Sequence, residues 1–396
     1  MKKFSLVIFF FCGFCLLTWC KQSNINSKSI ALSNIKISKT EEYYTKNLFP
    51  KINIADTNIV AKVAQLDTYF NNNVKTNGFN GSVLIAYKGT IIYKNKFGYQ
   101  DYHKKIPLTD SSSFQIASTS KTFTSAAILL LHQYKYLDID ESIDRFFPNL
   151  PYKGITIRML LSHRSGLPDY LDFTETLWKS KSFMSNQDVI DLMVKYKPAR
   201  LAVPNTCFKY NNSNFVLLAS IIEQISGLSY ADFMDTYFFK PLGMKNTFVY
   251  DPLNVPAKTV LGYKGSNYTE DKIVATDGVV GDKGIYSTVD DLYKWNLALY
   301  SGKLVDSKIL GMAYTPQSFE KPGNQNYGLG WRMNEQDNGT RLIYHNGWWH
   351  SFNSVFNRKL NDGTCIIVLS NHFCTCVYKI QGVWDILYGE GNIAYK

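Results

Sequence analysis

The chain of 396 residues is long enough to bury a large core, and its 45% hydrophobic and 15% aromatic content reads as a folded globular protein, not a disordered or fibrous one. Its 43 Lys and Arg exceed its 32 Asp and Glu, for a formal charge of +11. With no dense basic run beyond the N-terminus and no nucleic-acid motif, that excess reads first as solvated surface and second as affinity for an anionic envelope polymer.

Met1-Lys2-Lys3 followed by FSLVIFFFCGFCLLTWC is a positive segment leading into a short apolar one, so residues 1–20 read as an export signal. The apolar stretch is short for a membrane span, and no second candidate follows. Residues 21–55 read as a polar tether. Cys12 and Cys15 leave with the signal, so Cys207, Cys365, Cys374 and Cys376 remain in the body. These four include no CxxC pair and the chain has no HExxH, which argues against the usual zinc sites. Export permits a disulfide of open connectivity, and buried free thiols are the expectation.

A single domain is expected over residues 56–390. Ile59 to Phe70 has helical apolar spacing, and GSVLIAYKGTIIYKNKFG gives two β-rich runs around Lys88-Gly89, a hairpin signal. Ser118 then stands at the head of a helix carrying Thr124 to Leu131. From about residue 125 to 280 the pattern is mainly helical, through ITIRMLLSHRSGLPDY, NQDVIDLMVKY, NFVLLASIIEQISG and YADFMDTYFFKPLGM. The last third returns to strands at Arg341 to His345, Ser351 to Lys359 and Thr364 to Leu369, then closes on an aromatic helix near Val377 to Tyr388. Strands from both ends of the chain with helices between them predict an α/β protein of the α+β type. One antiparallel sheet is built discontinuously, with flanking terminal helices and a large inserted helical subdomain.

Ser118-Thr119-Ser120-Lys121 places a hydroxyl and an amine three residues apart on one helical face, so the amine can serve the hydroxyl as a base. The same spacing recurs at Ser33/Lys36 and Ser318/Lys321, but in polar segments with no such helix behind them. A serine of this kind needs a second proton handler, an oxyanion hole and a polar group for the far side of the substrate. Tyr210 with Asn212 supplies a phenol and an amide at the head of a helix, whereas two further YxN triplets, Tyr69/Asn71 and Tyr93/Asn95, precede the SxxK helix. His345-Asn346-Gly347 is the one HxG triplet, placed between two late strands. Its glycine would let the backbone approach a ligand closely, and its histidine could donate a hydrogen bond into the site. Read as a phosphate loop, Gly281 to Gly284 lacks the GxGxxG order and a Walker lysine-serine, and reads better as a backbone turn at the pocket rim. No GxSxG elbow exists, which excludes an α/β-hydrolase lipase.

With these motifs, the segments 155–170, 226–247, GDKGIYSTVDDLYKW (281–295) and YGLGW (327–331) make the chain resemble the serine β-lactamase-related family from about residue 60 to 388. That family includes class C β-lactamases, D-alanyl-D-alanine carboxypeptidases and related esterases. The resemblance implies a serine hydrolase acting through an acyl-enzyme on an amide or ester, with no metal and no cofactor. Ser118 would be acylated, Lys121 would take its proton, and Tyr210 would relay protons to the leaving group and activate the deacylating water. The N–H groups of Ser118 and Trp348 would form the oxyanion hole, Asn212 would bind substrate or steady Lys121, and His345, Asn346 and Gly347 would line the substrate side. It also implies that His163 is structural.

Class C enzymes carry Lys-Thr-Gly where this chain has His345-Asn346-Gly347, which points away from a true β-lactamase and toward a peptidase or esterase. A β-lactamase, or a penicillin-recognising or peptidoglycan-binding protein without turnover, stays as the alternative. Trp348, Trp349 and His350 would add aromatic surface at the strand edge. Leu17-Thr18-Trp19-Cys20 resembles a bacterial lipoprotein box, with Trp19 where a small residue is usual, and implies lipidation of Cys20. The expected partners are therefore a small-molecule or peptide substrate, peptidoglycan fragments among them, and a membrane surface reached through Cys20. The chain is expected to act as an exported, periplasmic or envelope-bound monomer without nucleic acid.

Overall fold

A computed structural model describes residues 32, 34–38 and 40–395. The signal segment and Cys20 lie outside them. A seven-stranded antiparallel sheet forms the centre: β1 (Gly81–Tyr87), β2 (Thr90–Phe97), β3 (Gln325–Tyr327), β4 (Arg332–Glu335), β5 (Arg341–Trp349), β6 (Phe352–Lys359) and β7 (Thr364–Ser370). Their order across the sheet is β3-β4-β5-β6-β7-β1-β2, so the first hairpin joins the last strands through β1 against β7, in the register Gly81↔Ser370 to Ala86↔Cys365.

Both faces of the sheet are covered, which is why GSVLIAY and TCIIVLS run almost without polar alternation. Val83, Ile85, Val355, Ile366 and Val368 face one core, shared with Leu66 and Phe70 of helix α2 (Thr57–Asn77) and Trp384 and Leu387 of a C-terminal helix, Gln381–Tyr388. Asp56 caps α2 at one end and Gly78, at φ 66°, ends it at the other. Leu84, Ala86, Phe356, Ile367 and Leu369 face the second core, which belongs to the helical layer.

Helix α3 (Ser120–Gln133) is the centre of that layer, buried from Ser120 to Leu131. Around it lie α4 (Ile157–Leu161), α5 (Tyr170–Leu177), α6 (Asn186–Tyr196), α7 (Ser213–Ser226), α8 (Tyr230–Met234) and α9 (Val289–Ser301). The layer thus reaches beyond residues 125–280 on both sides, because α3 begins at the SxxK motif and α9 packs back on the sheet.

Two expectations change. The described part of the 21–55 tether is anchored to the fold at single residues: Leu32, Ile35 and Tyr44 are buried, and Tyr44 sits in the short helix α1 (Glu41–Thr45). Phe49 lies against Gly89 and Gly363, where any side chain would collide with its ring. Polar spacing hid three apolar anchors that each find a core site. Nor are all four body cysteines free thiols: Cys374 and Cys376 are bonded to each other, Cys365 is free and buried, and Cys207 is free and half-buried.

Candidate active site

The chain enters α3 through a single 3-10 turn, Ala117–Thr119, with Ala117 in the left-handed region at φ 47°. That sparsely populated backbone turns Ser118 toward the surface. From Ser112 to Leu131 every residue is buried except Ser118, which is half-buried. Hydrogen bonds fasten the turn to the sheet. Thr119 Oγ1 donates to the His345 carbonyl at 3.2 Å, and Ser354 Oγ donates to the Ile116 carbonyl at 2.7 Å.

Lys121 is fully buried one turn on, and its Nζ meets Ser118 Oγ at 3.0 Å, Asn212 Oδ1 at 3.0 Å and the Asp282 carbonyl at 2.8 Å. Asn212 stands at the start of α7, and Asp282 lies in a turn between Gly281 (φ 104°) and Gly284 (φ 93°). That turn is buried beneath the site and not at a pocket rim, and no residue type could have announced a main-chain carbonyl. The Tyr210 ring lies 5.1 Å from Lys121 Nζ and 4.2 Å from the ring of His163.

Gly347 lies inside strand β5 and not between strands. A Cβ there would fall 2.2 Å from the Ile116 carbonyl oxygen and 3.0 Å from the Ser118 nitrogen, so the strand backbone runs directly beside the serine. Strand alternation then divides the neighbouring residues between two faces. His345 shares the face of Gly347, whereas Asn346 turns its amide to Tyr395 Oη, 2.9 Å away on the far side. Asn346 therefore offers the site no side chain. The Trp348 side chain is exposed and donates its Nε1–H to the His350 carbonyl, while Trp349 is half-buried and donates to Asp277.

His345 does not donate into the pocket. Its Nδ1 reaches the Asn346 carbonyl at 2.8 Å, which can only accept, so Nε2 accepts from Tyr327 Oη at 3.2 Å. Tyr327 Oη in turn accepts from His163 Nε2 at 3.2 Å, and His163 Nδ1 accepts the Asn211 N–H at 3.0 Å. Burial, with Lys121 and Arg332 nearby, holds both imidazoles well below their ordinary range. Both are neutral, so His345 does not replace the lost lysine as a cation.

Arg332 is the cation that is present. Its guanidinium stands 5.3 Å from the ring of Tyr210 and 5.9 Å from that of Tyr327, with no ion pair among the described residues. It borders a cleft of about 570 Å³ lined also by Lys209, Lys321 and Tyr344. Sequence reasoning missed Arg332, Tyr327 and Asp169. Tyr327 and Asp169 lay within recognised segments, but nothing in residue spacing linked Arg332 to Tyr210, 122 positions earlier in the chain by their numbering.

A half-exposed serine beside a buried lysine, on a helix under an antiparallel sheet, defines the protein's class as a serine hydrolase. The chain belongs to the β-lactamase family, whose model matches residues 66–375. It is 34% identical over 346 residues to a penicillin-binding protein of Bacillus subtilis (strain 168), covering 83% of this chain and 77% of that one. Among solved structures, it resembles D-amino acid amidase from Ochrobactrum anthropi SV3 with a TM-score of 0.68 at 26% identity, over 83% of this chain and 98% of that one. It also shares the fold of a penicillin-binding protein from Bacillus halodurans, with a TM-score of 0.70 at 24% identity over 81% and 97%.

Proposed function

We propose that the protein is an exported serine hydrolase that cleaves an amide or ester through an acyl-enzyme on Ser118, in the manner of a peptidase or esterase and not of a true β-lactamase. The observation that carries this reading is the 3.0 Å contact between Lys121 Nζ and Ser118 Oγ, the one hydroxyl of its run open to solvent. As Ser118 Oγ attacks the substrate carbonyl, its proton passes to Lys121. The oxyanion forms against the N–H groups of Ser118 and Trp348, for which the close approach of Gly347 leaves room. The tetrahedral species collapses, the leaving amine or alkoxide departs with a proton relayed through Tyr210, and Ser118 holds the acyl group as an ester. Water attacks that ester while Tyr210 takes its proton, releasing the acid and restoring the serine. Lipidation of Cys20 would hold this activity at a membrane surface; no helix among the described residues is long and apolar enough to cross one.

Arg332 supports a substrate that carries an anionic group near the scissile bond. A guanidinium keeps its charge at any working pH and grips a carboxylate by two parallel hydrogen bonds. Lys209 and Lys321 extend the positive lining of the adjoining cleft.

The test is a substrate panel: a chromogenic cephalosporin, peptides ending in D-Ala-D-Ala and short p-nitrophenyl esters. Turnover should be seen on peptide or ester, and Ser118→Ala should abolish both turnover and labelling by a fluorescent penicillin or fluorophosphonate. Turnover surviving in that variant defeats the mechanism. A single burst with one acyl group per chain would mark a protein that recognises without turning over. Arg332→Ala should raise KM at least tenfold for carboxylate-bearing peptides and leave neutral esters within about twofold, a loss of about 1.4 kcal/mol or more in binding.

A further inference from the structure

We propose that Asp169 is a positioning residue: it fixes which face of the Asn212 amide meets Lys121, and so leaves the lysine's lone pair on Ser118. The inference rests on the acyl-enzyme reading of Ser118 and deepens it.

To take the serine's proton, an amine must carry two hydrogens and one lone pair, and Lys121 Nζ has three partners. The Asp282 carbonyl can only accept, so it claims one hydrogen. Asn212 is ambiguous, since an amide turned by 180° offers N–H where it had offered oxygen. With its oxygen toward Lys121, Asn212 claims the second hydrogen and the lone pair falls on the Ser118 hydroxyl. With its nitrogen there, Asn212 would donate to the lone pair, and Ser118 would face an N–H that cannot take its proton.

Asp169 decides between the two. Its Oδ2 accepts from both the backbone N–H of Asn212, at 2.9 Å, and the side-chain Nδ2, at 3.0 Å. Turning the Asn212 amide would set two acceptor oxygens against each other in a partly buried place, where nothing else would satisfy them. Asp282 is anchored through its side chain by Tyr170, the residue that follows Asp169. Tyr170 Oη donates to Asp282 Oδ2 at 3.0 Å, and Lys283 Nζ lies 3.7 Å from the same oxygen while also touching the Tyr170 hydroxyl. Asp169 and Tyr170 thus each bond one of the two residues that offer Lys121 an acceptor, Asn212 and Asp282.

A simpler role is also visible, because Asp169 Oδ1 accepts the Leu171 N–H at 3.1 Å and caps α5. Asparagine and serine cap helices about as well as aspartate, so Asp169→Asn and Asp169→Ser separate the two roles. Both variants should fold with melting temperatures within a few degrees of the parent. Acylation of Ser118 by a fluorescent penicillin should fall by about 100-fold in each, the scale of losing a positioned base, with the KM for turnover moving less than threefold. A second measurement does not need catalysis. In protein labelled with 15N-asparagine, the Asn212 side-chain amide should show two well-separated, slowly exchanging protons in the parent and lose that signature in Asp169→Asn. Acylation within threefold of the parent in both variants, or an Asn212 signal unchanged in Asp169→Asn, overturns the proposal. Absence of any adduct on Ser118 in the parent would instead defeat the acyl-enzyme reading, and the amide signal would still decide the orientation of Asn212.

Discussion

At Gly347 the backbone is so close to the Ser118 turn that a single methyl group would press on both the Ile116 carbonyl and the Ser118 nitrogen. Neither is a flexible side-chain end, so the strand itself would have to move. Gly347→Ala should therefore lower acylation by 100-fold or more, the cost of displacing an oxyanion donor, and single-turnover labelling with a fluorescent penicillin measures it. The two buried imidazoles make a different prediction. In the unfolded chain His163 and His345 take up protons near pH 6.5, whereas in the folded protein burial keeps them neutral. The unfolded state therefore binds more protons below that pH. Stability should fall as the pH drops from about 6.5, by up to about 1.4 kcal/mol per pH unit for each imidazole, until the folded groups titrate. Urea unfolding at pH 7.5, 6.5 and 5.5 reads this slope, and His345→Gln should make it shallower. Ser118, Lys121, Tyr210 and Gly347 could be singled out in the sequence because the proposed chemistry rests on their side chains, or on the lack of one. The Asp282 carbonyl was not, and the direction of the Asn346 side chain depended on which face of β5 met the serine.

The elements were read well where periodicity was strong. The expected helix at Ile59 to Phe70 extends to Thr57–Asn77, since the polar turn after Phe70 continues it as far as Gly78. The hairpin and the three late strands stand within a few residues of their expected places. β3 and β4 escaped notice because Gln325–Tyr327, at the sheet edge, and Arg332–Glu335, next to it, are short strands without an apolar run. The N-terminal segment failed for the opposite reason, with single anchors and no period. Tyr44 is 1% exposed, so Tyr44→Ala should cost about 3–5 kcal/mol, seen as a lowered denaturant midpoint with an unchanged slope. A true tether would show no change.

For the molecule as a whole, sequence alone suggested a discontinuous sheet, since β-rich runs at both ends bracketed a helical middle. It could not supply the strand order, because pairing across nearly the whole chain leaves no local signal. The charge of +11 found no corresponding site apart from the cations along the cleft, and most of it serves as solvated surface.

The pairing of β1 with β7 has a consequence for how the protein comes into being. A ribosome delivers Ser118 and Lys121 early, but β5 and β7 are among the last structured segments to emerge, and β1 has no partner on that side until they do. The helix carrying the serine has no finished floor to rest on during most of synthesis. The growing chain thus lacks a completed site until its final strands arrive, and a chain broken off between Lys121 and Ser370 carries both motif residues without the strands that back them.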